Sequence, residues 1–274
     1  MRKYLSVLIL VVIFIGAIAL GARLRSIYGL ILLKTGYSDQ ASVLLRQTVE
    51  ADPGASYAHY NLAKAYYANG RYDQAVDSLE TVLRQIPEFP DAYKLLSEIQ
   101  IKQGDAVGSV SSAAKALKAD PDNGGYLIAY GDAMLFAGRA REAAAAFAAA
   151  TYRGVSQKHI RYKLGLAYLN MGLLKNAVRE LLIAVVNEPG YSYAHYDLGR
   201  AFAKGGMLEK AEAELLKSVK LKSDYYFAWY ELGLVYKAQG RKVDAKRAFK
   251  RAVQIDPETP NAAQALERME KRSD

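Results

Sequence analysis

The sequence predicts an all-α protein, an array of seven helix–turn–helix repeats of 34 residues each, preceded by one transmembrane helix. Three observations lead to this prediction. Glycine recurs every 34 residues without insertion or deletion, small residues recur at two further fixed positions, and a long apolar run precedes the first repeat. A fixed period of about 20–50 residues indicates a repeat architecture, in which each repeat packs mainly on its neighbours.

The N-terminal segment, residues 1–22, is the predicted membrane anchor. No charged residue interrupts positions 4–22, while Arg2 and Lys3 precede this run and Arg23 follows it. A helix of this length rises about 28 Å, close to the thickness of a hydrocarbon core of about 30 Å. A cleaved signal peptide is the alternative, because Ala17 and Ala19 fit the small-residue cleavage pattern.

Positive charges on the two sides of this segment are nearly balanced, so the positive-inside rule alone does not fix its orientation. The three residues ahead of the apolar run form a short tail, which is typical of a cytoplasmic N-terminus. We therefore expect a bacterial single-pass protein whose repeats face the periplasm. Repeats in the cytoplasm, or a cleaved chain in the periplasm, are the alternatives.

Each repeat is predicted to contain two helices joined by a turn at its glycine. Glycine adopts a left-handed backbone without steric cost and commonly follows the end of a helix. Proline cannot lie inside a helix, so it marks the junction between repeats. The recurrent glycines and prolines are Gly36, Gly70, Gly104, Gly138, Gly172, Gly206 and Gly240, and Pro53, Pro87, Pro121, Pro189 and Pro257.

Two sets of small residues predict where the two helices of a repeat cross. Small side chains allow a close approach of two helices, and large neighbours fill the space around the crossing. The large hydrophobe before the first-helix position is a leucine in most repeats, and Leu62, Leu198 and Leu232 are expected to point into the stack. The two sets are Gly29, Ala63, Ser97, Gly131, Gly165, Gly199 and Gly233, and Ala41, Ala75, Ser109, Ala143, Ala177, Ala211 and Ala245.

The last repeat resembles the tetratricopeptide repeat at every position compared: Trp229, Leu232, Gly233, Tyr236, Gly240, Ala245, Phe249, Ala252 and Pro257. The resemblance implies a right-handed α-solenoid over residues 22–259, with a polar capping helix at 260–274. The predicted repeats are residues 22–55, 56–89, 90–123, 124–157, 158–191, 192–225 and 226–259.

The sequence contains little that points to catalysis. It has no cysteine, which excludes disulfides, thiolate metal sites and a lipid anchor on cysteine. His59 and His195 occupy equivalent packing positions, where we expect half-buried, hydrogen-bonded rings. His159 has no neighbour at metal-ligand spacing. We therefore predict no catalytic residue, cofactor or metal, and no enzymatic activity.

The resemblance implies that the first helix of each repeat lines a concave groove, and the chain's 21 tyrosines supply many of the residues there. Tyrosine is a frequent hot-spot residue of protein interfaces. We therefore predict that the groove binds an extended or helical segment of a partner protein; the alternative is that these rings pack on the next repeat. The predicted protein-binding positions are Tyr57, Tyr60, Asn61, Lys64, Tyr67, His159, Tyr162, Lys163, Tyr193, Tyr196, Arg200, Phe227 and Tyr230. Further groove positions are Lys94, Glu98, Ile128, Asp132, Leu135, Asp197 and Lys237.

Repeats two and six nearly duplicate this surface, with SYAHYNLAKA at 56–65 and SYAHYDLGRA at 192–201. Lys64 and Arg200 lie at equivalent positions and are expected to attract an acidic or C-terminal segment. Tetratricopeptide co-chaperones that grip a terminal carboxylate use lysine, arginine and asparagine across three repeats. That pattern is absent, because those positions hold Tyr60, Lys64, Leu95, Gly125 and Ala129.

We therefore expect a membrane-anchored scaffold or adaptor of a bacterial envelope assembly or secretion complex. The alternatives are a fixed subunit of a larger membrane complex, and a secreted soluble binder of peptide or polysaccharide. No nucleic-acid partner is predicted. The basic helix from Arg241 to Arg251 is interpreted as a solvated face, with an anionic membrane or acidic partner as the alternative. Repeat four is expected to be the weakest, because EAAAAFAAA at 142–150 offers little apolar area.

Overall fold

The computed structural model describes residues 22–155, 159–258 and 260–270, and within these ranges the protein is entirely helical. The predicted anchor, residues 1–22, lies outside them except for its last residue, and no described helix is long and apolar enough to cross a membrane. The fifteen described helices are α1 (Ala22–Lys34), α2 (Ser38–Ala51), α3 (Ser56–Ala68), α4 (Tyr72–Gln85), α5 (Pro90–Gln103), α6 (Ala106–Ala119), α7 (Gly124–Phe136), α8 (Ala140–Tyr152), α9 (Ile160–Asn170), α10 (Leu174–Asn187), α11 (Ser192–Lys204), α12 (Leu208–Leu221), α13 (Tyr226–Ala238), α14 (Lys242–Ile255) and α15 (Pro260–Glu270).

The chain divides into two compact units, with the boundary between Ala137 and Gly138. The N-terminal unit contains α1 to α7, and the C-terminal unit contains α8 to α15. The boundary falls between the two helices of predicted repeat four. Within each unit, every helix packs on the next helix along the chain.

The first helices of successive repeats also pack on one another. In the N-terminal unit α1 packs on α3, α3 on α5 and α5 on α7, and in the C-terminal unit α9 packs on α11 and α11 on α13. Each unit therefore presents a continuous layer of first helices, and this layer carries the predicted groove residues.

The turns within repeats form as the sequence predicts. All seven recurrent glycines have positive φ, between 71° at Gly70 and 86° at Gly36. After Gly36, the Tyr37 N–H donates to the Leu32 carbonyl at 2.8 Å, and after Gly240 the Arg241 N–H donates to the Tyr236 carbonyl at 2.9 Å. These bonds satisfy carbonyl groups that the end of a helix leaves unpaired.

The predicted helix crossings are also confirmed. A Cβ atom added to Gly165 would lie 2.7 Å from Leu181 Cγ, and one added to Gly233 would lie 2.5 Å from Phe249 Cε1. Contacts this short require the neighbouring side chain to move, so these two positions accept only glycine without repacking. The facing alanines of α10 and α14, Ala177 and Ala245, are fully buried.

The predicted core leucines Leu62, Leu198 and Leu232 are all buried. Burying one such side chain stabilises the fold by about 1.5–3 kcal/mol. Leu62 belongs to the core of the N-terminal unit, and Leu198 and Leu232 belong to that of the C-terminal unit. Because these leucines face the core, a binding surface on α3, α11 or α13 must lie on the other side of the helix.

Helix α8 of repeat four buries mostly alanines, together with Phe147. The chain then leaves the helix through Gly154, with a φ of 73°, and α9 begins after His159, with a φ of 66°. A histidine in the left-handed region costs free energy that its surroundings must offset. The lower stability of this repeat stays a prediction.

Candidate functional site

In the N-terminal unit the predicted groove positions centre on α3. Tyr57 is the most exposed of these aromatic residues, with 66% of its surface accessible, and Tyr60, Asn61, Lys64 and Tyr67 are half-buried. Ile128 of α7 is buried, so the expectation that it faces the groove surface is wrong.

An aromatic side chain from the following repeat packs against this face of α3. Phe89, the residue directly before α5, lies with its ring centre 5.6 Å from that of Tyr57 and 5.0 Å from that of Tyr60. Both pairs meet edge to face, the arrangement that aromatic rings prefer, worth about 0.5–1.5 kcal/mol beyond the buried area. Phe89 therefore ties repeats two and three together at the groove surface.

The same junction occurs twice in the C-terminal unit. Tyr191, directly before α11, stacks on His159 with ring centres 3.9 Å apart and meets Tyr162 edge to face at 5.0 Å. Tyr225, directly before α13, lies 5.0 Å from both Tyr193 and Tyr196. The aromatic residue directly before α5, α11 and α13 thus contacts the aromatic residues that lie 32 and 29 positions earlier in the sequence.

Sequence reasoning missed these three junction residues. Phe89, Tyr191 and Tyr225 share one position in the 34-residue period, and this shared position was the signal that could have identified them. The equivalent residue at the repeat-four junction is Asn123, whose side chain instead accepts hydrogen bonds from the N–H groups of Gly125 and Tyr126 at the start of α7. At these described junctions, the contact is therefore aromatic at Phe89, Tyr191 and Tyr225 and is replaced by a helix cap at Asn123.

Tyr196 lies differently from the prediction. It is only 8% exposed, because it packs against Tyr225 and against the Arg200 guanidinium, whose carbon lies 5.3 Å from the ring centre. The alternative, that a groove ring packs on the next repeat, therefore holds for this residue. Phe227 is exposed, and Tyr230 is half-buried and packs on Phe249.

A buried charge network lies beneath the aromatic surface of α11. Asp197 accepts hydrogen bonds from Arg200 Nη1 at 2.8 Å and from the Tyr162 hydroxyl at 3.0 Å. Arg200 Nε also lies 3.6 Å from a Glu231 carboxylate oxygen. Burial raises the pKa of Asp197 and of Glu231, and the Arg200 charge opposes this rise.

The equivalent positions of α3 hold no such network. Asn61 stands where Asp197 does, and its amide donates to the Ser26 hydroxyl at 3.1 Å. The Lys64 ammonium lies 5.5 Å from the centre of the Tyr60 ring and has no ion pair within the described ranges. The nearby Lys94 is paired with Glu98 at 2.7 Å.

An open cavity of about 660 Å³ lies beside Tyr57 in the N-terminal unit. Its lining residues include Ile27 and Leu30 of α1, Ile86, Tyr57 and Asn61, together with the polar residues Ser26, Asp52 and Ser56. Ile27 is exposed although it is apolar. Pockets that bind ligands are typically lined by apolar groups with a few polar ones, as here.

The histidines at the packing position serve as structural residues. His195 is buried, with Nε2 3.0 Å from the Pro189 carbonyl oxygen and Nδ1 2.6 Å from a Glu214 carboxylate oxygen. Trp229 occupies the same position and donates its indole N–H to the Ser223 carbonyl at 3.0 Å. His59 makes the matching contact to the Pro53 carbonyl at 3.2 Å. The predicted hydrogen-bonded packing role is confirmed.

His159 is held by Glu188, whose carboxylate contacts its Nδ1 at 2.9 Å and accepts a bond from its backbone N–H at 2.9 Å. Together with the stacked Tyr191 ring, this carboxylate stabilises the left-handed backbone. No group of three or more potential metal ligands occurs among the residues that the structure describes.

The basic residues of α14 are exposed, as a solvated face requires. Arg241 is nevertheless engaged, because its guanidinium lies within 2.9 Å of carboxylate oxygens of both Glu212 and Asp244. This contact joins α14 to α12 of the preceding repeat.

Three family models, each described as a tetratricopeptide repeat, match residues 32–99, 162–226 and 226–259. The chain is 34% identical over 74 residues to the tetratricopeptide repeat and J domain-containing co-chaperone DNJ1 of Cryptococcus neoformans, covering 27% of this chain. It is 32% identical over 83 residues to the protein CTR9 homolog of Arabidopsis thaliana, covering 29% of this chain. The matches span only 14% and 8% of those two proteins.

Solved structures give the same fold. The Cut9–Hcn1 hetero-tetramer of APC/C is matched with a TM-score of 0.76 at 15% identity, over 90% of this chain and 48% of that one. PilW, described as a widely conserved type IV pilus biogenesis factor, is matched with a TM-score of 0.71 at 20% identity, over 77% and 98%. YrrB, described as having an unusual peptide-binding site, is matched with a TM-score of 0.55 at 20% identity, over 69% and 97%.

These structural matches are too low in identity to carry more than the fold, but the family models cover much of both units. The family models, together with the recurrent glycine turns and helix crossings, identify the repeats as tetratricopeptide repeats. The chain is built from tetratricopeptide repeats, an all-helical scaffold suited to binding other proteins.

Proposed function

We propose that this protein is a membrane-anchored adaptor that binds a segment of a partner protein on the first-helix face of its N-terminal unit. The observation that carries the proposal is Tyr57, a large aromatic side chain that is 66% exposed beside an apolar cavity. Exposed aromatic groups next to a pocket are typical anchors of protein interfaces. The peptide-binding site reported for YrrB, on a related fold, supports this mode of binding.

The membrane and envelope parts of the proposal rest on other observations. The uncharged run at 4–22 is long enough to span a bilayer and leads directly into α1. The fold likeness to PilW, a pilus biogenesis factor, supports a bacterial envelope role in which the repeats face the periplasm. The partner is a protein of that assembly.

A fixed subunit of a larger membrane complex is the second candidate, and the surface of α1 favours it. Leu24, Ile27 and Ile31 are all exposed on this helix. Their spacing places them on one face, where a permanent neighbour would cover them. Purification in mild detergent separates the candidates, because a fixed subunit keeps stoichiometric partners whereas an adaptor exchanges them.

The anchor is tested by sequencing the N-terminus of the mature protein and fractionating the cells. We expect an uncleaved chain in the membrane fraction, with repeats open to protease in spheroplasts. A soluble chain that begins near Leu20 or Arg23 would instead identify a secreted binder. Resistance of the repeats in spheroplasts would place them in the cytoplasm.

Groove binding is tested by replacing Tyr57 with alanine in the full chain. We expect partner binding to weaken by about 2 kcal/mol or more, roughly thirtyfold. The free energy of unfolding should fall by only about 0.5–1.5 kcal/mol, because the Tyr57–Phe89 contact is lost. Normal partner binding by a folded Tyr57→Ala protein would exclude this face as the binding site.

A further inference from the structure

The two positively charged side chains of the duplicated segments differ in how they are neutralised. Arg200 of α11 lies between two carboxylates, 2.8 Å from Asp197 and 3.6 Å from Glu231. Its charge is therefore balanced within the protein. A ligand carboxylate at this point would have to displace one of these groups or accept their repulsion.

Lys64 of α3 occupies the same position without either carboxylate. Asn61 replaces Asp197, and the buried Leu95 stands where Glu231 does. The Lys64 ammonium contacts the face of the Tyr60 ring, a favourable but weaker arrangement than an ion pair. Within the described ranges, the charge of Lys64 has no ionic partner.

Further positive charge surrounds Lys64. Partial burial, together with the charges of Lys34 and Lys94, lowers its pKa, although Asp91 acts in the opposite direction. Lys94 is already paired with Glu98, and Lys34 is exposed. A half-buried ammonium without a counterion binds an anion more strongly than a fully solvated one, because low polarity strengthens the attraction.

The mostly apolar cavity reaches α3 near this charge, although Lys64 itself is not among the residues that line it. Asn61, one turn before Lys64 on α3, forms part of its wall together with Ile27, Leu30 and Tyr57. An apolar side chain can enter the cavity while a neighbouring group of the same segment reaches Lys64. The two features together define a ligand that carries an apolar residue beside an anion.

We propose that the groove of the N-terminal unit selects a partner segment with a carboxylate side chain next to an apolar residue, and that Lys64 pairs with this carboxylate. The equivalent surface around Arg200 in the C-terminal unit does not select for a carboxylate. This inference rests on the proposed function, since it names the chemistry of the segment bound there.

The test uses three pools of end-blocked twelve-residue peptides, random except for a central Leu-Glu, Leu-Gln or Leu-Lys pair. Each pool is passed over the immobilised full chain in detergent, and the retained fraction is measured. We expect the Leu-Glu pool to be retained at least about fivefold more than the Leu-Gln pool, the size of one partly screened ion pair. The ratio should fall as salt is added.

Two variants test Lys64 specifically. Lys64→Gln removes the charge, and Asn61→Asp keeps the lysine but supplies the internal carboxylate that Arg200 has. Both should abolish the preference for Leu-Glu while the thermal unfolding temperature stays near that of the wild type. Lys118→Ala, which removes an exposed lysine of α6, is the matched control and should retain the preference.

Equal retention of the Leu-Glu and Leu-Gln pools by the wild type would overturn the proposal. So would an undiminished preference in folded Lys64→Gln. If all pools are retained equally and Tyr57→Ala lowers their retention, the groove binds peptides without selecting acids, and the proposed function stands. If no pool is retained, or Tyr57→Ala has no effect, both proposals fail.

Discussion

The segments at 56–65 and 192–201 share seven of ten residues, yet their surroundings give them different surfaces. In the N-terminal unit Tyr57 is largely exposed, and Lys64 has no carboxylate partner among the residues that the structure describes. In the C-terminal unit the equivalent Tyr193 is half-buried, and Arg200 is paired with Asp197. Two surfaces of nearly the same sequence are thus open in one unit and filled by the protein's own side chains in the other.

The difference in exposure between the two segments' tyrosines arises from residues outside the segments. Tyr193 contacts Tyr191 and Tyr225, and Lys222 donates to its hydroxyl at 2.6 Å. The equivalent Tyr57 meets only Phe89 among described aromatic rings. A groove residue is therefore available for binding only where the neighbouring repeats leave it uncovered.

The largest expected effect is a loss of stability on truncating the buried leucine that the two segments share. Leu62→Ala and Leu198→Ala should each reduce the free energy of unfolding by about 2–5 kcal/mol, because both leucines are buried in the cores. Urea unfolding followed by circular dichroism measures both costs. A cost below 1 kcal/mol at either position would show that the two helices do not pack alike.

The paired cation should matter for folding, whereas the unpaired one should not. Arg200→Ala leaves Asp197 buried without its partner and should cost about 3 kcal/mol at pH 7. Lys64→Ala should change stability by less than about 0.5 kcal/mol. Urea unfolding of both variants at pH 7 makes the comparison.

The cost of Arg200→Ala should also depend on pH. Burial raises the pKa of Asp197, and loss of Arg200 removes a charge that opposes the rise. As the pH falls through this raised pKa, the unpaired carboxylate takes up a proton and its penalty disappears. The cost should therefore be smaller at pH 4.5 than at pH 7, and a cost independent of pH would contradict the buried pair.

The two packing histidines offer a third comparison. Hydrogen bonds from His195 and Lys217 hold the pKa of Glu214 below its usual value of 4.5 despite its burial. Glu214→Gln should cost about 1–2 kcal/mol at pH 7, since a charge-assisted hydrogen bond is lost. The wild-type advantage is present above pH 4.5 and should vanish as the pH falls through the lowered pKa.

The matched control is Ser78→Ala, at the position of α4 equivalent to Glu214. The Ser78 hydroxyl donates to the Gln74 carbonyl, and the described contact of the His59 ring is to the Pro53 carbonyl rather than to a carboxylate. Its effect should be below about 1 kcal/mol and independent of pH between 3 and 7. A similar pH dependence in this variant would assign the effect to other groups.

The smallest expected effect is a local one. Amide hydrogens of α8, whose buried side chains are mostly alanine, should exchange faster than those of α12, which buries Leu215 and Val219 in the same unit. Hydrogen exchange with mass spectrometry resolves the two helices. Slower exchange in α8 would show that close packing of small residues compensates for the missing apolar area.

Turns and crossings could be predicted from the sequence because they depend on the backbone. Gly240 is required by a left-handed turn, and Gly233 by the closeness of Phe249, and both constraints recur at the repeat period. The structural role of His195 followed from its position equivalent to Trp229.

The accessibility of the groove could not be predicted in the same way. Tyr196 is covered by Tyr225, a residue of the next repeat whose importance is evident only once its ring is placed. Likewise, Lys64 lacks the carboxylates that surround Arg200 because Asn61 and Leu95 stand where Asp197 and Glu231 do, and the pattern of a single repeat does not reveal this. Contacts between repeats therefore set the function of residues that the period makes equivalent.

Tyr57 and Tyr193 occupy the same position in repeats two and six and test the difference between the units most directly. The measurement is the dissociation constant of the best-retained Leu-Glu peptide for the full chain carrying Tyr57→Ala or Tyr193→Ala. We expect Kd to rise about thirtyfold for Tyr57→Ala and less than threefold for Tyr193→Ala. Equal rises in the two variants, or a rise confined to Tyr193→Ala, would contradict the assignment of binding to the open surface of the N-terminal unit.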